Sequence, residues 1–129
     1  MKTLVSIILV AVLAFVLGNF LPWWSIAIAA FAVSLLIRQL PFAAFIAGFL
    51  GIGLLWAVQA SLIDSANESI LSTRVASLLP LQGNPVLLIS FTALLGAIIG
   101  GLAALSGNFL AGPKRRSVDT ENYYRSKFR

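Results

Sequence analysis

From Pro85 to Ala111 the chain carries no charged side chain, and the run ends in Pro113-Lys114-Arg115-Arg116. A stretch of that length can cross the roughly 30 Å hydrocarbon core of a bilayer as one helix. In lipid the backbone must satisfy its own hydrogen bonds, so an isolated apolar run of this kind folds as a helix. Other apolar runs must then pack against it. Three of them precede it, and 60% of the 129 residues are hydrophobic against 10% charged. A water-soluble domain carries about 25% charge. This chain lacks the polar surface to face water on all sides.

The expectation is an all-α fold, a polytopic transmembrane helical bundle with four spans near residues 3–20, 22–37, 42–63 and 85–111. Residues 1–112 form the transmembrane domain and 113–129 a basic cytoplasmic tail. Lys2 followed by the apolar run Leu4–Leu17 also fits a secretory signal with Val16-Leu17-Gly18 as its cleavage site. A retained first span is the preferred reading, because Asn19–Trp24 continues as a tight hairpin. Gly18 suits the end of the first helix and Pro22 the first turn of the second. Trp23 and Trp24 suit the headgroup level as interface anchors, and Lys114, Arg115 and Arg116 do the same at the far end.

Asp64 to Asn84 is the one sizeable polar connection. Ser65-Ala66-Asn67-Glu68 matches the capping box, which predicts an amphipathic interfacial helix over about 66–79, closed by Pro80. Continuation of the third helix through Leu79 is the alternative. On a helix Asp64, Asn67, Leu71, Arg74 and Leu78 share one face, expected to meet the bundle or membrane surface. Ser69, Ser72, Thr73, Ala76 and Ser77 take the other. Asn84 is a natural N-cap and Pro85 a natural first residue for the last span.

Charge placement gives direction. With four spans, Lys2, Arg38, Lys114, Arg115, Arg116, Arg125, Lys127 and Arg129 fall on one side and only Arg74 on the other. Basic residues collect on the cytoplasmic side. Both termini are therefore expected in the cytoplasm and Asp64–Asn84 outside it. The tail reads as a segment held on anionic lipid by its basic and aromatic residues. It has no nucleic-acid-binding motif, so no nucleic acid is expected.

Every span carries small residues at helical spacing. Gly96, Gly100 and Ala104 line the last, with Ala44, Gly48 and Gly51 as a matching antiparallel stripe on the third. In lipid, close backbone approach through small residues drives helix association. Packing within the chain is the first reading and a homo-oligomer seam the second. The spans contain no charged residue, whereas small multidrug-resistance transporters of this size need an embedded carboxylate. Gln59 is the most polar interior side chain, expected as an interhelical hydrogen-bond partner.

The chain has no Cys and no His. No nucleophile–base–acid set can be assembled, and the lysines lie across the membrane from the loop serines, so no enzyme, cofactor or metal is expected. The expected partners are the lipid bilayer and another membrane protein or a second copy. Asp64, Asn67, Glu68 and Arg74 form the candidate partner or ligand patch. The expected role is an accessory or structural subunit of a membrane assembly. A holin-like or other oligomeric pore former, and a small transporter or channel for a neutral solute, are the alternatives.

Leu21-Pro22-Trp23-Trp24-Ser25-Ile26 opening a span, Asp64/Asn67/Arg74 before Leu79-Pro80-Leu81, and the Gly-rich last span together resemble small multi-pass bacterial inner-membrane proteins. The resemblance covers residues 20 to about 107. It implies a bacterial inner membrane and about four helices, and no activity or catalytic residue.

Overall fold

In the computed structural model, residues 1–112 and 126–127 are described. They hold five α-helices: α1 Lys2–Gly18, α2 Ser25–Leu36, α3 Pro41–Ala66, α4 Ile70–Leu78 and α5 Pro85–Leu110. The expected tail, with Lys114, Arg115 and Arg116, lies almost wholly outside the described residues. Two helices, α3 and α5, are long and apolar enough to cross a membrane, with 26 residues each, or about 39 Å of rise. The other two expected spans are shorter: α1 has 17 residues and α2 has 12. At about 1.5 Å per residue α2 rises only about 18 Å.

The start of α2 differs from expectation. Pro22 precedes the helix, its carbonyl accepting from Ser25 N at 3.0 Å, and α2 begins three residues later. Trp23 and Trp24 are in the turn and exposed. Asn19 closes α1 by donating from Nδ2 to Phe15 O at 2.8 Å. At the other long connection Asn84 is the N-cap of α5, its Oδ1 accepting from Val86 N at 3.0 Å, with Pro85 directly inside. Gln82 and Gly83 both take positive φ in the turn before it.

The two long helices run antiparallel and share the most extensive packing of the bundle. Glycine is what lets them meet. A Cβ on Gly48 would strike Gly100 O and lie 2.6 Å from Ala104 Cβ. One on Gly100 would lie 2.5 Å from Ile52 Cγ1, and one on Gly96 2.7 Å from the Trp56 ring. Gly96, Gly100 and Ala104 thus face α3 inside one chain. Gly51 belongs to a different contact. Its missing Cβ would meet Val10 and Ile7 O of α1 at 3.0–3.1 Å, so the third helix divides its small face between two neighbours. Gly107 lies against the backbone of Phe31, which seats α2 on α5.

Residue size is sorted in the opposite sense from a water-soluble core. The buried apolar residues are mostly alanines: Ala14, Ala29, Ala30, Ala44, Ala47, Ala76, Ala97 and Ala104, with Val10, Ile26, Val33 and Ile52. Large side chains point outward on every helix, among them Leu4, Phe15, Ile28, Leu54, Phe91 and Leu102. A soluble domain puts Leu, Ile and Phe at its centre.

The α3–α4 junction departs from the capping-box expectation. Ser65 donates its hydroxyl back to Ser61 O at 2.9 Å, and Glu68 sits at φ 49° with Ser69 at φ 57°. Two consecutive left-handed residues break the helix, so α3 neither stops at Ile63 nor continues to Leu79. Helix α4 then starts at Ile70 and turns only part of the expected face toward α3 and α5, where Leu71 and Val75 border a cavity, while Ala76 of the other face is the residue it buries. Ala76 is fully buried and Ser69 and Ser72 are half-buried, whereas Leu71, Arg74 and Leu78 are exposed.

Candidate functional site

Polar groups collect at the two ends of the bundle. At the α3–α4 end, Asp64 accepts from Ser69 Oγ at 2.8 Å and from Ser72 Oγ. The carboxylate therefore ties the end of α3 to the start of α4 across the left-handed break. Ser72 and Thr73 also donate to Ser69 O, at 3.2 and 2.6 Å. Asp64 and Asn67 line a cavity of about 240 Å³ between α3, α4 and α5, whose other walls include Leu71, Val75 and Leu88. Glu68 and Arg74 are exposed and take no part in it. Of the four residues expected to form one patch, two come together and two stand apart. The apolar lining makes this cavity a packing defect under a short helix more than a polar recognition site.

The opposite end holds a cluster that the sequence reading did not assemble. Gln39, in the turn between α2 and α3, donates from Nε2 to Ser6 Oγ of α1 at 2.9 Å. Its backbone N donates to Asn108 Oδ1 of α5 at 3.3 Å. One residue therefore fastens the first helix, the α2–α3 turn and the last helix together. Ser6 is 1% exposed and Asn108 7%, and both bonds are part-buried. Above them opens a cavity of about 750 Å³ whose lining includes Lys2, Thr3, Arg38, Gln39, Pro41 and Asn108. Gly112, the last residue described before the basic segment, also lines it.

A signal for this cluster exists in the chain. Ser6 lies in the first two turns of the first helix and Asn108 in the last turn of the last. Under a four-crossing path those two ends and the turn at Arg38–Leu40 must meet. Gln59 lies elsewhere, half-buried, and its side chain makes no hydrogen bond among the described residues. Among the described residues three buried polar atoms also lack a partner, namely Ser25 Oγ, Ser34 Oγ and Gln39 Oε1.

No family model, curated protein or solved structure matches this chain. What it does is therefore argued from its own geometry.

Proposed function

We propose that this chain is a multi-pass protein of the bacterial inner membrane, acting as a non-enzymatic accessory or structural subunit of a membrane assembly. The observation that carries the membrane reading is the inverted core, with alanine and glycine inside and leucine and phenylalanine outside. Among lipid tails a buried leucine gains little over an exposed one, and close small-residue packing supplies the cohesion. The same surface in water would leave a belt of large apolar side chains far beyond a few hundred Å².

Four crossings are supported by the meeting of chain ends. The Gln39 bonds to Ser6 and Asn108 bring the start of α1, the α2–α3 turn and the end of α5 to one end. Lys2 and Arg38 lie at that end, and Lys114–Arg116 follow directly from it in sequence. Asp64, Glu68 and Arg74 lie at the other. Basic residues mark the cytoplasmic end, so both termini are cytoplasmic and α4 lies outside. The shortness of α2 is met by local bilayer thinning, with exposed Trp23 and Trp24 at its rim.

The accessory role is favoured by a bundle packed through backbone contacts, with no charged side chain within its long helices outside Asp64 at the end of α3. The exposed Leu71 and Leu78 of α4, beside Arg74, offer a surface for a neighbouring membrane protein. Crosslinking in cells through single cysteines at positions 71, 74 and 78, followed by purification in mild detergent, tests this. A discrete heteromeric product is expected. A monomer that captures nothing overturns the subunit reading, and rapid depolarisation on induced expression would replace it with a pore former.

A further inference from the structure

We propose that the cavity at the Gln39 end is a binding site for a phosphate ester, supplied by the headgroup of an anionic phospholipid. The inference rests on the membrane reading above, and it assigns this end of the molecule a ligand.

The cavity is furnished chiefly with donors, although one lining residue, Gln39, also carries a buried acceptor, Oε1, without a partner among the described residues. Lys2 and Arg38 both line it, and neither pairs with a carboxylate among the described residues. Two helices begin there, α1 at Lys2 and α3 at Pro41, and neither has a side-chain cap. The first-turn N–H groups of a helix have no acceptor within it, and its N-terminus favours negative charge. The chain supplies the α3 start with no acidic residue in its first turn, and the same is true of α1. The end of α5 also lies here and its dipole opposes an anion, although Gly107 O and Phe109 O are already taken by Ala111 N and Gly112 N.

Asn108 is the independent observation. It is 7% exposed and lines the cavity. Its Oδ1 is held by Gln39 N, which fixes the other half of the amide as the donor. That Nδ2 donates to no described residue. It opens to the cavity and is not among the buried atoms without a partner, so an anion's oxygen there can accept from it.

Charge placement excludes the obvious competitor within the described residues. The chain has four acidic residues, and the two that are described, Asp64 and Glu68, are at the opposite end. Lipid is favoured over free phosphate by the rim. Leu40 is 76% exposed and Phe109 64%, and both line the cavity. Exposed apolar side chains directly beside two cations and an amide donor match an acyl chain below a phosphate.

Native mass spectrometry of the detergent-solubilised full chain tests the site with phosphatidylglycerol, phosphatidylcholine and inorganic phosphate as probes. Arg38→Gln removes one cation. Asn108→Asp keeps the acceptor for Gln39 N and turns the free donor into a carboxylate. Arg74→Gln makes the same charge change at the other end. Unchanged helicity by circular dichroism confirms that each variant folds. The wild type should retain one phosphatidylglycerol in preference to phosphatidylcholine. Arg38→Gln and Asn108→Asp should weaken it about tenfold or more, and Arg74→Gln should not. Displacement of phosphatidylglycerol by millimolar inorganic phosphate would keep the phosphate site but overturn the lipid as its source. Equal retention of both lipids, or equal loss in all three variants, would overturn the site. The membrane reading is judged separately by alkaline extraction. A chain that resists extraction yet shows no lipid preference loses only this site, while one that is extracted loses the membrane reading and the lipid with it.

Discussion

Alanine at Gly48 is a minimal change with a large expected effect. In a helix interior, Gly→Ala ordinarily gains roughly 0.5–1 kcal/mol from chain entropy and propensity. At Gly48 the added methyl would overlap Gly100 O and come within 2.6 Å of Ala104 Cβ. Carbon atoms rest at about 3.5–4.0 Å, so α3 and α5 would have to separate by about 1 Å. Both opposing groups belong to a rigid helix and neither can rotate away. Overpacking of this kind costs about 1–3 kcal/mol, and separation would also loosen the neighbouring contacts of Gly100 with Ile52 and Gly96 with Trp56. The net expectation is a loss of about 1–2 kcal/mol after the propensity gain is offset. Gly18→Ala supplies the internal contrast, because no atom lies within 4 Å of its missing Cβ. That variant should be unchanged or more stable by up to about 1 kcal/mol. Unfolding in mixed micelles, followed by helicity against denaturing detergent, measures both. If Gly48→Ala proved as stable as Gly18→Ala, the close α3–α5 approach would be refuted.

The chain's lack of cysteine makes single-cysteine labelling clean. A membrane-impermeant maleimide should modify Glu68→Cys in intact cells and Leu40→Cys only after permeabilisation; the reverse pattern would invert the proposed topology. Asp64→Ala removes the acceptor for Ser69 and Ser72, and a lost hydrogen bond to a charged group costs about 1.5–3 kcal/mol. Limited proteolysis should then cut within 66–70, and an unaltered cleavage pattern would count against the tether. Asn84→Ala deletes the α5 cap and should cost about 1 kcal/mol in the same micelle assay, whereas Asn84→Ser should retain most of it. Gln39→Leu leaves the buried Ser6 hydroxyl without its partner while the backbone N–H bond to Asn108 remains, and should cost about 1–3 kcal/mol; no loss would show that the tie to α1 is dispensable.

The bundle was legible where the chain carries explicit stop signals. Asn84-Pro85 marked the start of α5, the span expected from residue 42 came within one residue of the start of α3 at Pro41, and the absence of charge between Pro85 and Ala111 set the length of α5. The stripe Gly96–Gly100–Ala104 was readable as a close seam because only small side chains recur there. What the stripe could not tell is how one helix shares its small face. Gly48 and Gly51 are three residues apart, so they diverge by about 60° around the helix. That is enough to send one to α5 and the other to α1. The Gln39 cluster was missed for a different reason. Its three members are far apart in the chain, and no local pattern marks Ser6, Gln39 or Asn108 as a set. They join only once the path of the chain returns three ends to one place.

The face of α4 shows how the choice of solvent alters the reading of a pattern. Placing Leu71, Arg74 and Leu78 against the bundle follows the rule for helices in water, where the apolar stripe is the one that hides. The long helices follow the other rule, in which small residues pack and large ones face lipid. Applied to α4, that second rule selects Ser69, Ser72, Thr73, Ala76 and Ser77 as the inner face. Three of these bear it out, with Ala76 buried and Ser69 and Ser72 bonded to Asp64. Leu78 is then left outward for the membrane surface or a neighbour, while Leu71, though exposed, borders the cavity toward α3 and α5. A substitution can distinguish the two rules in this short helix. Ala76→Leu has no room in a site with 0% exposure and should cost about 1–3 kcal/mol by overpacking. Leu78→Ala, at 86% exposure, should leave the isolated chain's stability within about 0.5 kcal/mol and act only on partner capture. If instead Leu78→Ala unfolded the chain and Ala76→Leu were silent, α4 would sit on the bundle by the water rule after all.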